Sequence, residues 1–498
     1  MSARATLFGS IAILAGLMLL ADAAPQAARA ETIGLNFTGV TLTEGMQLNS
    51  NSGYAPPDGS GAVNSDYIVQ LINGAYAVYD KSTGNQTELI AAKQFWINAG
   101  VNPGNDLLNL GVFNERILYD PTVDRWFAVG LSGQSTNNNV MIARSDTSDP
   151  TGGWKAVSFL GNDGGDGKFA DFATLGIDAD GVYVTTNNFP MNSSNVGFEY
   201  AMVHSIPKAD LLATTPSVAN MTSYGSLSEN TVGFSTIQPV TNYGPTNGTA
   251  PLVAVVPAPP GETSLYRWDI TGTAGPGAGI SEPIGIPTSD YSAPPPAAQP
   301  DFTASISTID GRIASNVYQV GDKLYAVHNT TLSGNPALSV LIFDEMTNQL
   351  IQEVILGDPS YDYFNASIAA NHLGDIVVGF TRSGFFEDGT LSAVAIVGHT
   401  VGDVVTFGDP LVLQAGLVDN YHFANGRWGD YTSTVVDPDN PFVFWTFQQY
   451  ALSSTLWATQ VTQIIVPEPA SVALAAIGLS LICILAARRR RQTGSQSL

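Results

Sequence analysis

From Gly61 to Thr459 the chain repeats one arrangement of apolar and polar positions. A short apolar run is followed by a turn rich in Asp, Asn or Gly, a second apolar run, a polar loop and a third run. The first copy has Gly61–Val63, the turn Asn64-Ser65-Asp66, the alternating stretch Tyr67–Ile72 and then Tyr76–Asp80. The second has Ile117–Pro121, Trp126–Val129 and Val140–Ala143; the third has Leu175–Asp178, Val182–Thr185 and Tyr200–Val203. A fourth, less regular, joins Ile237–Val240, Leu252–Val256 and Leu265–Trp268, and a fifth joins Asn316–Tyr318, Leu324–Val327 and Ser339–Phe343. The sixth has Ala366–Ala369, Ile376–Phe380 and Ala393–Ile396, and the seventh Ser433–Val436, Phe442–Trp445 and Leu456–Thr459. Copies lie roughly 50 to 75 residues apart, within reach of a four-stranded blade with its loops.

The runs are short, rich in Val, Ile, Tyr, Phe and Trp, and bounded by Gly, Asp, Asn or Pro, so strands are expected throughout. Outside the termini no segment longer than about ten residues keeps a helical period. The pattern predicts an all-β body, a seven-bladed β-propeller, flanked by an N-terminal signal peptide and a C-terminal transmembrane sorting helix. Fourth strands are expected at Lys155–Leu160, Leu350–Leu356 and Val404–Leu413. The last copy has none left, so Thr32–Val40 is expected to supply it, closing the ring and covering an open edge. Two β-sandwiches would not give one grammar seven times, and a β-solenoid needs a much shorter period. Pro283–Pro300 is expected to be an extended loop between the fourth and fifth copies.

The two ends carry sorting patterns. Arg4, the apolar run Leu7–Leu20 and Ala28-Arg29-Ala30 form a secretory signal, so residues 1–30 are expected to be removed by signal peptidase and the mature chain to begin at Glu31. The body then covers residues 31–466. Beyond it, Pro467, Glu468 and Pro469 precede the apolar stretch Ala470–Ala487, which is followed by Arg488, Arg489, Arg490 and Arg491. As a helix that stretch spans roughly 27 Å, the thickness of a hydrocarbon core, with the arginines held in the cytoplasm. This segment, residues 467–491 ahead of a polar tail at 492–498, resembles the PEP-CTERM sorting signal of Gram-negative bacteria. The resemblance implies recognition by an exosortase and delivery to the cell surface or an exopolysaccharide matrix. It covers the C-terminus alone.

Composition narrows the body's partners. Only 12% of residues are charged, against about 25% in ordinary soluble proteins. Of 19 basic residues six lie in the terminal segments, leaving 13 against 41 acidic residues in the body. Such a body repels a phosphate backbone, and nucleic-acid binding is excluded. Cys483 is the single cysteine and sits in the C-terminal apolar stretch, so there is no disulfide framework or thiol redox pair.

Chemistry in a propeller is expected where the first strands begin, around the channel. Those positions carry Asp58, Glu115, Arg116, Asp171, Arg312, Asn365, Arg427, Asp430 and Tyr431. They form a polar ring that either binds a ligand or pins the channel shut by mutual pairing. Three arginines beside carboxylates and Tyr431 resemble a sialidase site, yet the repeated Ser-x-Asp-x-Gly-x-Thr-Trp turn is missing and that family has six blades. The body is more loosely similar to secreted bacterial propellers whose last blade opens Arg-Trp-Gly-Asp-Tyr, here Arg427 to Tyr431. Calcium is the one metal the chain invites, at Asp163, Asp166 and Asp171, although the Asn162–Gly167 loop lacks EF-hand spacing. No other cofactor is expected. The five histidines lack metal-binding spacing, and neither a nucleophile elbow nor a phosphate loop is present. Trp96, Trp154, Trp268 and Tyr291 are candidates for stacking on sugars, with inter-blade packing the plainer role. The expectation is an exported surface or matrix protein that binds glycan or protein and has no enzymatic activity. A polysaccharide hydrolase or lyase and a purely structural exopolymer protein are the alternatives.

Overall fold

A computed structural model describes residues 31–468, apart from 102–110, 134, 192–196, 226, 230–231, 257–261, 274–276 and 302–303. The predicted signal peptide and the sorting segment from Pro469 onward, including Arg488 to Arg491, lie outside the described residues. Among the described residues no helix is long and apolar enough to cross a membrane. The unit Ile33–Ile464 is built of strands, with short helices at Leu42–Leu48, Ala92–Asn98 and Lys208–Leu212. The all-β expectation holds.

Strands pair in antiparallel meanders. Meander A orders Gly61–Val63, Tyr67–Ile72, Ala75–Asp80 and Gln86–Ala91. Meander B orders Val112–Asp120, Arg125–Ser132, Asn139–Ser145 and Trp154–Leu160, and meander C Lys168–Ile177, Gly181–Pro190, Tyr200–Pro207 and Thr222–Gly225. Meander D has Gln238–Thr241, Thr249–Val255 and Glu262–Thr271, the last flanked by both Gly279–Ile280 and Ile284–Tyr291. Meander E has Val317–Val320, Lys323–Leu332, Asn335–Asp344 and Leu350–Leu356. D and E merge into one nine-stranded sheet through parallel pairing of Val240 with Val317 and Thr241 with Tyr318. Meander F has Asp362–Ala370, Ile376–Ser383 and Ser392–Val401, with Val404–Phe407 and Leu411–Gln414 both on the third strand. Meander G has Ser433–Val436, Val443–Ser453 and Leu456–Ile465, and its outer strand, Thr32–Thr41, comes from the other end of the chain. The first strands touch in order from A to G, and G touches A again.

An Asx turn makes the first hairpin in six of these meanders. The side chains of Asn64, Asp120, Asp178, Asn242, Asn371 and Asp437 each accept from a backbone N–H two residues on, which adds a side-chain bond to the turn. Meander E uses Gly321, at φ 61°, instead.

Apolar layers lie between neighbouring meanders. Tyr76, Phe95, Trp96, Trp126 and Trp154 fill the space between A and B, and Val63, Ile68, Tyr79, Trp445, Phe447 and Trp457 that between A and G. Burying each such side chain stabilises by about 1.5–3 kcal/mol. Trp96, Trp154, Trp268 and Tyr291, the candidates for sugar stacking, are buried core residues, so that role is corrected to packing. Two buried cations and one partly exposed one tie meanders together: Lys208 to Asp120 at 2.8 Å, Arg267 to Glu345 at 2.9 Å, and Lys81 to Asp437 at 2.9 Å. The proline-rich stretch is also corrected, since Ile284–Tyr291 is a strand paired with Glu262–Thr271. It lies at a sheet edge, where a proline's missing N–H is tolerated.

Candidate functional site

The first strands of B, C and F begin with the same irregularity. Pairing with the second strand skips two residues, between Phe113 and Arg116, Asp171 and Thr174, and Phe364 and Ser367. The first residue skipped is left-handed each time: Asn114 at φ 52°, Phe172 at 53° and Asn365 at 55°. Asp58 (51°) and Thr236 (56°) precede the first strands of A and D in the same conformation. Such bulges re-aim side chains at a sheet's rim, and a left-handed Phe costs about 1–2 kcal/mol that the surrounding structure must offset.

Of these left-handed residues Asp58 and Asn114 line a cavity of about 1060 Å³. Its polar floor is continuous. Arg427 pairs with Asp430, and the Asp430 N–H donates to Asp58 Oδ1 at 2.9 Å. Asp58 Oδ2 accepts from Asn73 Nδ2 at 2.8 Å, Asn73 Oδ1 accepts from the Asn114 N–H at 2.8 Å, and Asn114 Nδ2 donates to Asp171. Tyr54, Lys93, Gln94, Phe113, Phe169 and Met191 line its sides. Phe113 and Phe169 stack with ring centres 5.8 Å apart.

Beneath the floor the channel is filled. The Arg116 guanidinium lies 3.7 Å from the Tyr431 ring centre and 5.5 Å from that of Phe172, attracted by both π-faces. Its Nε donates to Ala173 O at 2.8 Å and one terminal nitrogen to Ala314 O at 3.0 Å. Arg312 also lies over Phe172, at 4.8 Å, and is gripped bidentately by Asp310. The Tyr431 hydroxyl donates to Glu115 O at 3.0 Å.

Four of the nine residues expected around the channel, Asp58, Asp171, Arg427 and Asp430, line this one cavity. Arg116 and Tyr431 lie below it, and Glu115 and Asn365 are buried with side-chain polar atoms that meet no partner among the described residues. Tyr431 is fully buried with its hydroxyl committed, so the sialidase-like role of nucleophile does not fit it. Sequence reasoning missed Asn73 and Asn114, the amides that join the carboxylates. The signal was local: Asn73 precedes Gly74 in a hairpin turn, and Asn tolerates the left-handed bulge that Asn114 occupies.

Burial moves the carboxyl groups upward. Asp58 is held well above the ordinary carboxylate range by burial and then by Asp430. Asp171 is raised by the same two causes, and Glu115 well raised by burial, with Asp58 adding to it. Burial works against the charge of Arg427, but Asp430 and Asp58 outweigh it. The cavity is thus lined by carboxyl groups whose charge burial disfavours, by amides and by a guanidinium whose charge its carboxylate neighbours favour.

The calcium set does not assemble. Among the described residues no three His, Cys, Asp or Glu side chains are placed to hold a metal. Asp166 accepts from the Tyr200 hydroxyl at 2.6 Å and from the Lys168 N–H, whereas Asp171 belongs to the cavity.

Residues 466–491 match the PEP-CTERM protein-sorting motif. The chain is thus an exported bacterial protein, sorted to the cell surface by an exosortase. No curated protein matches it. Among solved structures it is similar to extracellular domains 1–2 of Drosophila Semaphorin 1a, at 10% identity over 88% of each chain with a TM-score of 0.41. It is also similar to a Trypanosoma rangeli sialidase in complex with sialic acid, at 9% identity over 74% of this chain and 56% of that one, TM-score 0.36. An exo-β-1,3-galactanase from Clostridium thermocellum is matched at 10% identity over 87% of this chain and 100% of that one, TM-score 0.31.

Proposed function

We propose that the chain is a surface or matrix protein of a Gram-negative bacterium whose body is a seven-bladed β-propeller that binds a glycan at one mouth of its ring. Meanders A to G are the blades. The closed circuit of first strands supports this, as does the outer strand of G contributed by Thr32–Thr41. Signal peptidase removes residues 1–30, and the sorting helix holds the chain in the membrane until the exosortase acts.

The observation that carries the glycan reading is the cavity floor from Arg427 through Asp430, Asp58, Asn73 and Asn114 to Asp171. Its side chains lock one another in place, so little ordering entropy remains for a ligand to offset. Glycan is favoured over a protein partner because the site is concave and polar, with the Phe113–Phe169 pair beside it as an apolar face for a sugar ring. Screening the mature protein on a glycan array, then titrating the best ligand with calcium and with chelator, tests it. Saturable binding is expected, unaffected by chelator and weakened about tenfold or more in Arg427→Ala. Absence of binding to any glycan would leave the purely structural reading.

A second reading has its own observation. Asp58 and Asp171 line one cavity and are both raised by burial and Asp430, as an acid catalyst requires. Release of new reducing ends from a bound polysaccharide, abolished in Asp58→Asn, would make the protein a glycoside hydrolase.

A further inference from the structure

The far ends of the same first strands enclose a second cavity, of about 440 Å³. We propose that it is a separate binding site for a small uncharged molecule, built mainly of apolar ring atoms and carrying one hydrogen-bonding oxygen. Val63, Leu118, Val320, Val435, Tyr243 and Tyr318 give it a chiefly apolar wall drawn from five of the meanders and their turns. It is not the other end of an open channel. No residue lines both cavities, and Arg116, Phe172 and Tyr431 fill the space between.

The chemistry follows from which polar groups are already used. Asp437 accepts from Trp445 Nε1 at 2.9 Å and pairs with Lys81 at 2.9 Å. Asn371 donates to Pro441 O at 2.7 Å, Asn242 to Pro245 O at 3.2 Å, and Tyr119 to Asp124. Tyr318 spends its hydroxyl on a long 3.3 Å bond to Thr434 O. Among the described residues that line the cup, three polar side chains keep a group without a partner: exposed His372, Gln319, whose Nε2 alone is used on Gly321 O, and Tyr243, whose hydroxyl stands among the apolar walls and is the polar handle assigned to a ligand. A charged ligand would lose its hydration against apolar walls whose only carboxylate, Asp437, is neutralised by Lys81. The volume suits one or two fused rings. A macromolecular partner fits less well, because Leu373 is the single large exposed apolar residue in or beside the residues that line the cup.

The test follows the fluorescence of 2-naphthol and of naphthalene on titration with the full chain in detergent, against a detergent-only blank. One saturable site is expected for each. Tyr243→Phe should weaken 2-naphthol about three- to tenfold, the worth of one hydrogen bond, and leave naphthalene within about twofold. Val435→Trp, which fills the cup, should abolish both while circular dichroism stays unchanged. Absence of saturable binding, or binding that survives in folded Val435→Trp, overturns the proposal. If Val435→Trp does not fold, equal effects of Tyr243→Phe on the two probes overturn it.

Discussion

Glu115 is a carboxyl group with nothing to hold. It is fully buried, and neither oxygen has a hydrogen-bond partner among the described residues. Its folded-state value is raised above the ordinary 4.5, so it favours the fold while protonated. That contribution is complete below about pH 4 and is lost as pH rises through the folded value. Asp58 and Asp171 act with the same sign. His204, held down to about 4 by burial, acts oppositely, and its contribution is lost as pH falls from 6.5 toward 4. Glu115→Gln should therefore melt with the wild type at pH 4 and about 1–3 °C above it at pH 8. A variant that melts lower at pH 8 would mean the ionised carboxylate is stabilised by something the geometry does not show. The charged residues of this region were legible because first strands all begin at one face, so their opening residues become neighbours. The neutral amides Asn73 and Asn114 were not, because only strand register places them between two carboxylates. The stack of Arg116 on Tyr431 joins meanders B and G, 315 positions apart, and no local pattern records it.

Among elements, hairpins were the easiest to read. Alternation and turn chemistry are local, and the Asx turns repeat at each first hairpin. The bulges were hidden, since two residues opposite one shift the alternation by a single place near a strand's start, where a change of phase reads in sequence like the end of a loop. Ile284–Tyr291 was missed for a related reason: prolines mask a strand that needs hydrogen bonds along one edge only. The outer strand Thr32–Thr41 was legible by elimination, and its seat is tight. A Cβ added at Gly39 would stand 2.2 Å from Gln70 Oε1 and 2.6 Å from Thr459 Oγ1. Gly39→Val should cost about 1–3 kcal/mol in denaturant unfolding, since it drives the strand away from both A and G. An unchanged midpoint would show that this strand contributes little to the closed ring.

For the whole molecule, sorting and surface charge set the behaviour. The net charge of −24 makes copies repel one another, and the arginine-tipped tail supplies the positive end the body lacks. Replacing Arg488 to Arg491 by alanine should leave the protein unsorted, found by fractionation in the cell envelope rather than at the surface. Surface display at the wild-type level would remove those arginines from the signal. The C-terminal sorting signal was legible because it is written in linear order, whereas the ligand of a cavity shared by several meanders is not.

The sheet order of meander G also has a mechanical meaning. The last strand, Leu456–Ile465, is not at an edge but lies between Val443–Ser453 and Thr32–Thr41. A pull applied along the axis of that strand loads it over its whole length. Resistance then comes from two ladders sheared at once, not from one peeled bond by bond, so the strand that closes the ring also anchors it against such a load.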